Sequence, residues 1–175
     1  MGIRVTKWLF SFIALLFITG CDIVQLTNEP PDIDIEVNSI EISDLIETEN
    51  FRPGALKHIL EGEINRKGDA VGFHYEGLPS VKGIVIEGTR TNPDKYGIYE
   101  AEVEVEGIKK RGNRGMSTFF PLHWNAQEVV DSINEAYDSK QFLNGNTYEG
   151  VTDEGVVIHM YLDKNDKIIS AFPVH

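Results

Sequence analysis

Two histidines, His58 and His74, stand 16 residues apart and could act as an acid–base pair. His58 lies in a segment with the pattern of a short helix, and His74 lies in a segment with the pattern of a strand. A helix that packs back on the following strand would bring the two imidazoles to one cleft. Imidazole exchanges protons near neutral pH, and one neutral and one protonated imidazole can together cleave a phosphodiester beside a ribose 2′-hydroxyl. Two histidines in a small domain are also often structural or surface residues, so the spacing leaves both interpretations open.

The elements that would position these histidines have clear helix and strand patterns. The clearest strand covers residues 99–106, where apolar residues alternate with four glutamates. The clearest helix covers residues 126–139, because Asn125 and Glu128 have the spacing of a capping box and apolar residues follow at helical intervals. We also predict a helix over 53–60 and strands over 71–75, 83–87, 116–120, 155–162 and 168–172. The order contains no strand–helix–strand repeat and predicts an α+β fold with mainly antiparallel sheets.

The composition narrows the classes of protein and site. The chain has 175 residues, which is enough for one domain with a real core. Its single cysteine excludes an intramolecular disulfide framework, and its five histidines are scattered, so we predict no metal site and no cofactor. The net charge of −12 does not favour a phosphate-rich partner through bulk electrostatics. Residues 22–50 contain nine acidic residues and no lysine or arginine. We interpret the first part of this segment, residues 22–32, as a solvated spacer.

A local basic stretch interrupts this acidic background. It contains Lys109, Lys110, Arg111 and Arg114, directly after the alternating strand. These cations would provide positive potential for a nucleic acid, and Tyr148, Tyr96 or Phe119 could stack on an unpaired base. The alternative is a solvated hairpin tip with the aromatic residues in the core.

The N-terminus resembles a bacterial lipoprotein signal. Arg4 and Lys7 precede an apolar run over residues 8–18, which ends at Gly20 next to Cys21. The resemblance implies a signal peptide over 1–20, lipidation of Cys21 and an extracytoplasmic protein attached to the cell membrane. The alternative is an ordinary N-terminal anchor with an incidental cysteine. Residues 33–49 mix apolar and acidic residues and could form either a strand or a helix on the domain.

Four short motifs resemble the bacterial EndoU nuclease family in their order and spacing. They cover the histidine-bearing region at residues 57–80, the Ser-Thr-Phe-Phe-Pro segment at 117–121 followed by Trp124, and the C-terminal segments 150–156 and 167–173. The resemblance runs from about residue 53 to the C-terminus. It implies a fold of two antiparallel β-sheets flanked by helices, which is distantly ribonuclease-like. This nuclease-like domain would cover residues 51–175 and would follow the lipidated cysteine and acidic spacer over residues 21–50.

The resemblance also implies an endoribonuclease that transesterifies RNA to a 2′,3′-cyclic phosphate. His58 and His74 match the two histidines of the family, and our provisional assignment is His74 as general base and His58 as general acid. Thr152 is our first choice for the third catalytic residue, although it could equally cap the following turn. Lys110 and Ser117 are the reserve candidates, and Lys110, Arg111, Arg114, Ser117 and Tyr148 are the candidate substrate-binding residues. His123, His159 and the terminal His175 are predicted to be peripheral.

Two functions of different class follow from these features. The first is a membrane-anchored endoribonuclease that acts as an antibacterial toxin, with RNA as its substrate and an immunity protein as its partner. A related option is a nuclease that scavenges extracellular RNA. The second is a non-catalytic surface lipoprotein that keeps the fold as a binding module. The acidic composition and a chain with only an anchor and a spacer before the domain favour the second.

Overall fold

The predicted α+β class is confirmed by a computed structural model, which describes residues 41–79 and 82–175. The signal segment, Cys21 and the spacer up to residue 40 lie outside the described residues. The helices among them are α1 (Ala55–Leu60) and α2 (Ala126–Asp138), with short 3₁₀ turns at Ile42–Asp44 and Gly112–Gly115. The strands are β1 (Glu63–Ile64), β2 (Ala70–Val71), β3 (Gly83–Val85), β4 (Tyr99–Val105), β5 (Ile108–Lys109), β6 (Met116–Phe119), β7 (Gln141–Asn144), β8 (Thr147–Val151), β9 (Val157–Leu162) and β10 (Ile168–Pro173).

A four-stranded antiparallel sheet forms the C-terminal half, in the order β10-β9-β8-β7. Side chains alternate along β9, so that Ile158, Met160 and Leu162 are buried while His159 and Tyr161 are partly exposed. The buried set joins one apolar core with residues of both helices. The opposite face of β8, β9 and β10 is therefore free to line a site.

A second antiparallel sheet is built around β4, which pairs with β3, β5 and β6. The alternation predicted for residues 99–106 is confirmed, since the apolar residues of β4 are buried and its glutamates are not. Phe73 and Phe119 pack with these apolar residues in a second core. Among the described residues there is also a two-residue ladder between β1 and β2, which makes a third small sheet beside the expected two.

The helix at 126–139 begins as predicted. The Asn125 side chain accepts a hydrogen bond from the Glu128 amide at 3.0 Å, and the Glu128 carboxylate accepts one from the Asn125 amide at 2.6 Å. The buried face of α2 includes Val129, Val130 and Ile133. The capping box and the apolar stripe therefore act together to place α2 on the sheet.

Several boundaries differ from the sequence-based expectation. The strand predicted over 71–75 is shorter, because Phe73 adopts a positive φ of 62° that ends the ladder after Val71. The segment at 41–49 has only one 3₁₀ turn, yet Leu45 is buried and the Ile46 amide donates to Gln127 at 2.9 Å. This segment therefore packs against the domain without forming the strand or regular helix that was considered for residues 33–49. Strands β7 and β8 were not predicted.

None of the helices that the structure describes has the length and apolar character needed to cross a membrane.

Candidate active site

The two histidines converge because a short hairpin returns the chain to α1. Strands β1 and β2 pair directly after the helix, and the following backbone then hydrogen-bonds to the helix end. The Phe73 amide donates to the His58 carbonyl at 3.0 Å, and the His74 amide donates to the Ile59 carbonyl at 2.7 Å. Gly72 makes this contact possible, because a Cβ there would lie 2.0 Å from the His58 carbonyl oxygen.

His74 is held by two strands from different sheets. Its Nδ1 lies 2.8 Å from the Thr118 carbonyl oxygen of β6, and its ring stacks on Phe172 of β10 at 5.2 Å between centroids. A carbonyl oxygen can only accept, so Nδ1 carries the proton and donates it. In the neutral ring, Nε2 is then the proton acceptor. This tautomer suits a general base.

His58 lies on the less buried side of α1, since Leu56, Ile59 and Leu60 face the core. Its Nδ1 is 3.0 Å from the Glu63 carboxylate at the start of β1. A carboxylate accepts the Nδ1 proton and orients the ring, which leaves Nε2 to exchange a proton with another group.

Lys110 and Ser117, the reserve candidates, form a third polar group beside the histidines. The Lys110 ammonium donates to the Ser117 hydroxyl at 2.7 Å and lies 3.4 Å from the Gly72 carbonyl. The Ser117 hydroxyl donates to the same carbonyl at 3.1 Å. This network ties the residue after β5 and strand β6 to the glycine that positions the histidines.

These side chains line one cavity of about 590 Å³. Its wall is formed by the loop after β2, the basic turn, β6 and the free face of β9 and β10. No acidic residue is among the described residues that line it, although the chain as a whole is strongly acidic. The lining residues are His58, Val71, Gly72, His74, Lys110, Gly112, Asn113, Met116, Ser117, Thr118, Asn146, Tyr161, Ile169, Ser170 and Phe172.

Burial is the main cause that lowers the pKa of all three basic groups. Burial lowers the pKa of His74 well below its ordinary value, and the Lys110 charge lowers it further against the opposing Thr118 carbonyl. Burial also lowers the pKa of His58, with Glu63 acting in the opposite direction. Burial lowers the pKa of Lys110 to about 8. At neutral pH the cavity therefore holds a neutral His74 beside a charged Lys110.

The structure does not bring Thr152 to the histidines. The Thr152 hydroxyl accepts from the Val156 amide at 3.0 Å, and the Thr152 carbonyl accepts from the Gly155 amide at 2.9 Å. Its side chain lines a different cavity, together with Trp124 and Glu128. The geometry is that of a turn residue, which is the alternative weighed for Thr152 from the sequence.

The other candidate binding residues lie outside the cavity wall. Arg111 and Arg114 are exposed on either side of Gly112 and Asn113, which do line the cavity, and Arg111 pairs with Asp69 at 2.5 Å. Tyr148 lies at the edge of the core with its ring against Phe142.

Of the two other aromatic candidates, Phe119 cannot stack on a base. Its side chain is completely buried between Tyr99 and Phe73, so that prediction is wrong. Tyr96 packs against the core, with its hydroxyl near Gly155.

The remaining histidines are not among the residues that line the cavity. His123 lies beside Trp124, and the terminal His175 is exposed. His159 is the nearest to the site, since its ring contacts Phe172 and its Nε2 pairs with Glu149.

The sequence analysis did not single out several side chains of the wall, among them Asn146, Tyr161, Ser170 and Phe172. Ser170 and Phe172 belong to one of the four motifs, and they alternate on β10, which was the available signal.

Comparison of the sequence with known proteins found a matching protein family and a related protein. The model of the bacterial EndoU nuclease family matches residues 54–175. A protein named Toxin from Bacillus cereus is 57% identical over 132 residues, which cover 75% of this chain. The match spans only 24% of that relative's length, so the relative is much longer than the shared region. No solved structure matches the chain.

Proposed function

The chain belongs to the bacterial EndoU nuclease family, and on that premise we propose that it is an endoribonuclease that cleaves RNA through the 2′-hydroxyl. The observation that carries the proposal is the common cavity of His58, His74 and Lys110. Two imidazoles and one ammonium in a cavity without carboxylates suit a reaction at a phosphodiester anion.

His74 is the general base of the proposed reaction. Its neutral Nε2 takes the proton of the 2′-hydroxyl, and the resulting oxygen forms a bond to the adjacent phosphorus. The Thr118 carbonyl keeps Nδ1 protonated, so the ring presents its lone pair at the other nitrogen. Burial supports this role, because it holds the imidazole in the neutral form.

His58 is the general acid. As the bond from phosphorus to the 5′-oxygen breaks, the protonated imidazole donates its Nε2 proton to that oxygen, which leaves as a hydroxyl. The products are a 2′,3′-cyclic phosphate and a 5′-hydroxyl. Glu63 supports the assignment, since its carboxylate raises the pKa of His58 against the effect of burial.

Lys110 takes the third catalytic role that the sequence had assigned first to Thr152. Its ammonium would stabilise the additional negative charge on the phosphoryl oxygens in the transition state. The Ser117 hydroxyl and the Gly72 carbonyl hold it in place without neutralising it. Thr152 has no such position, because its hydroxyl is engaged in a turn at another cavity.

Arg111 and Arg114 are proposed to contribute attraction at the rim. Their exposed guanidinium groups flank two residues of the cavity wall, where positive charge would favour an RNA backbone. Phe172 lines the wall beside His74 and offers a surface for one base.

The biological role proposed is that of an antibacterial toxin attached outside the cytoplasm through lipidated Cys21. It is supported by the relative named Toxin and by the lipoprotein-like segment before Cys21. A toxin of this kind requires a matching immunity protein in the producing cell. Membrane fractionation and fatty-acid labelling of the full chain test the anchor, with Cys21→Ser expected to lose the label and leave the membrane fraction.

The decisive experiment for the activity uses RNA and DNA oligonucleotides of the same sequence. We expect the protein to cut only the RNA and to leave 2′,3′-cyclic phosphate ends, which mass spectrometry identifies. A single 2′-deoxy residue should block cleavage at its own 3′ bond alone. Cleavage that is insensitive to this replacement would refute the mechanism, whereas RNA binding with no turnover would favour the binding-module function.

A further inference from the structure

We propose that strand β7 is a dimerisation edge, on which a second copy of this chain pairs antiparallel, so that the C-terminal sheet continues from one molecule into the other. The inference goes beyond the proposed function and does not depend on it. It is carried by a sheet edge that has neither charge nor cover, by the apolar side chains exposed along it, and by the symmetry of its sequence.

The outer edge of β7 is open. β7 is the last strand in the order β10-β9-β8-β7, and within the part of the chain that the structure describes it pairs only with β8. All four of its residues are exposed. An open edge presents unpaired backbone amide and carbonyl groups to any strand that approaches it. The edge therefore offers the hydrogen-bonding groups that the addition of another strand requires.

Other edges of the two large sheets are protected. The β10 edge is covered by the segment before α1, because the Arg52 amide donates to the Ile168 carbonyl at 2.9 Å. In the second sheet, β3 directly follows Lys82, and β5 contains Lys109. Covering segments and lysines are common protections against edge-to-edge association. Among the described residues β7 has no covering segment, and residues 141–148 contain no charged side chain.

Apolar side chains are exposed along the same edge. Phe142 is 62% exposed and Leu143 is 42% exposed. The Phe142 ring contacts the ring of its strand partner Tyr148, with 5.6 Å between the centroids. The register shift between Phe142 and Asn144 leaves Leu143 as an extra residue with no direct partner on β8. A second strand at this edge would cover part of both side chains, and this burial adds a hydrophobic contribution to the backbone hydrogen bonds.

The sequence of β7 is complementary to itself, which identifies the occupant. In an antiparallel pair centred between Phe142 and Leu143, each of these residues faces the other in the second copy, and Gln141 faces Asn144. Apolar residues meet apolar residues, amides meet amides, and no like charges are opposed. The net charge of −12 opposes the approach of two copies through acidic surfaces, and pairing through β7 avoids that repulsion. A strongly charged partner would find no opposite charge on this strand.

The pairing would place two catalytic cavities on one side of the joined sheet. Directly opposed residues of antiparallel strands project from the same face, so the two-fold axis is perpendicular to the sheet. The free face of β9 and β10, which lines the cavity, is then continued by the same face of the second copy. With about 4.8 Å between neighbouring strands, the two β9 strands would lie roughly 24 Å apart. One RNA chain would therefore be able to contact both cavities.

Sedimentation velocity of the full chain tests the association. The background is Cys21→Ser, which prevents a disulfide between copies, in a non-ionic detergent because residues 8–18 are apolar. Between roughly 1 and 500 µM, a range suited to a small interface, we expect a shift from monomer to dimer. Leu143→Lys brings two ammonium groups near the axis and should weaken the dimer by at least about tenfold. The matched control is Ile84→Lys, which adds the same charge at an exposed isoleucine of β3 and should leave the dimer unchanged.

Disulfide cross-linking tests the register of the pair. In the same background, Gln141→Cys and Asn144→Cys are prepared as separate proteins and then mixed. Opposed residues have Cα atoms about 4.5 to 5.5 Å apart, which is within reach of a disulfide. Identical residues of the two copies would instead be offset by about 10 Å along the strands. The mixture should therefore form a cross-linked dimer, and either protein alone should not.

Three outcomes would overturn the proposal: a monomer at every concentration, equal dimerisation of Leu143→Lys and Ile84→Lys, or a mixture of the cysteine variants that does not cross-link. A monomer that binds an extended strand of another protein through β7 would overturn it in favour of that partner. Circular dichroism and cleavage of a short RNA control for folding of Leu143→Lys, because Leu143 does not line the cavity. If no variant cleaves RNA, the proposed function fails, while sedimentation and cross-linking still decide the dimer.

Discussion

Replacing Lys110 with methionine should remove most of the activity while making the protein more stable. Methionine has a similar length and apolar stem but no charge, so the Lys110→Met variant lacks the cation beside Ser117. Loss of one preorganised donor for developing negative charge typically costs about 10² to 10³ in rate. We therefore expect kcat/KM for RNA at pH 7 to fall by roughly that factor.

The dependence of kcat/KM on pH gives a second signature. Above the lowered pKa of His58, loss of the general-acid proton should make log kcat/KM fall with a slope of about −1. Above the Lys110 pKa of about 8, loss of the ammonium should steepen that slope to about −2. In Lys110→Met the slope should stay near −1. The falling limb should also begin at higher pH, because the Lys110 charge no longer lowers the pKa of His58.

Stability should change in the opposite direction to activity. The Lys110 pKa is about 8 in the folded protein instead of 10.5, and each unit corresponds to about 1.4 kcal/mol. Because the side chain is partly accessible, we expect Lys110→Met to raise the free energy of unfolding by roughly 1 to 2 kcal/mol at pH 7. The cost of the buried charge is present below pH 8, where both states are protonated, and is relieved as pH rises from 8 to 10.5. The gain measured by urea unfolding should therefore be larger at pH 7 than at pH 10.

The control is Lys109→Met, which removes the neighbouring exposed lysine of β5 that does not line the cavity. It should change kcat/KM at pH 7 by less than about threefold, since an isolated surface charge contributes little. If Lys110→Met cleaved RNA within threefold of the unmodified protein, or if its slope still steepened above pH 8, the assigned role of Lys110 would be refuted.

Three further predictions test the remaining assignments. His74→Asn keeps an amide donor for the Thr118 carbonyl but removes the base, so RNA cleavage should fall by about 10² to 10⁴ with circular dichroism unchanged; near-normal rates would exclude His74 as the base. Glu63→Gln removes the charge that raises the pKa of His58, so NMR titration should find that pKa lower, and an unchanged value would contradict the pairing. Thr152→Val removes a buried hydrogen bond in a turn, so it should lower the free energy of unfolding by about 1 kcal/mol and leave the rate of RNA cleavage unchanged. A large loss of rate in a folded variant would restore Thr152 as a catalytic candidate.

The local elements were predictable because their signals lie in neighbouring residues. The alternation of β4 and the capping box at Asn125 reflect side-chain periods of 2.0 and 3.6 residues, which depend only on local backbone geometry. Strands β7 and β8 escaped prediction because β7 is exposed on every residue, so no apolar alternation marks it. Its ladder depends on pairing with β8, which a local pattern does not report.

The site was predictable in part. The two histidines followed from residue type, spacing and resemblance, and the structure places both on one cavity wall. The choice among Thr152, Lys110 and Ser117 did not follow from the sequence, because each is a polar residue near a turn or strand end. Three-dimensional contacts separate them: Thr152 bonds within its own turn, whereas Lys110 and Ser117 meet at Gly72.

Amino-acid order alone was enough to establish the α+β class, the main helices and strands, the family and the acidic character of the chain. Folding was needed to join His58, Lys110 and Phe172, which come from a helix, a basic turn and the last strand. The physical reason is that each contact is made across the fold, such as the His74 amide on the Ile59 carbonyl and the His74 ring on Phe172. Contacts of this kind depend on the packing of two sheets and a close approach at Gly72, and no short stretch of sequence encodes them.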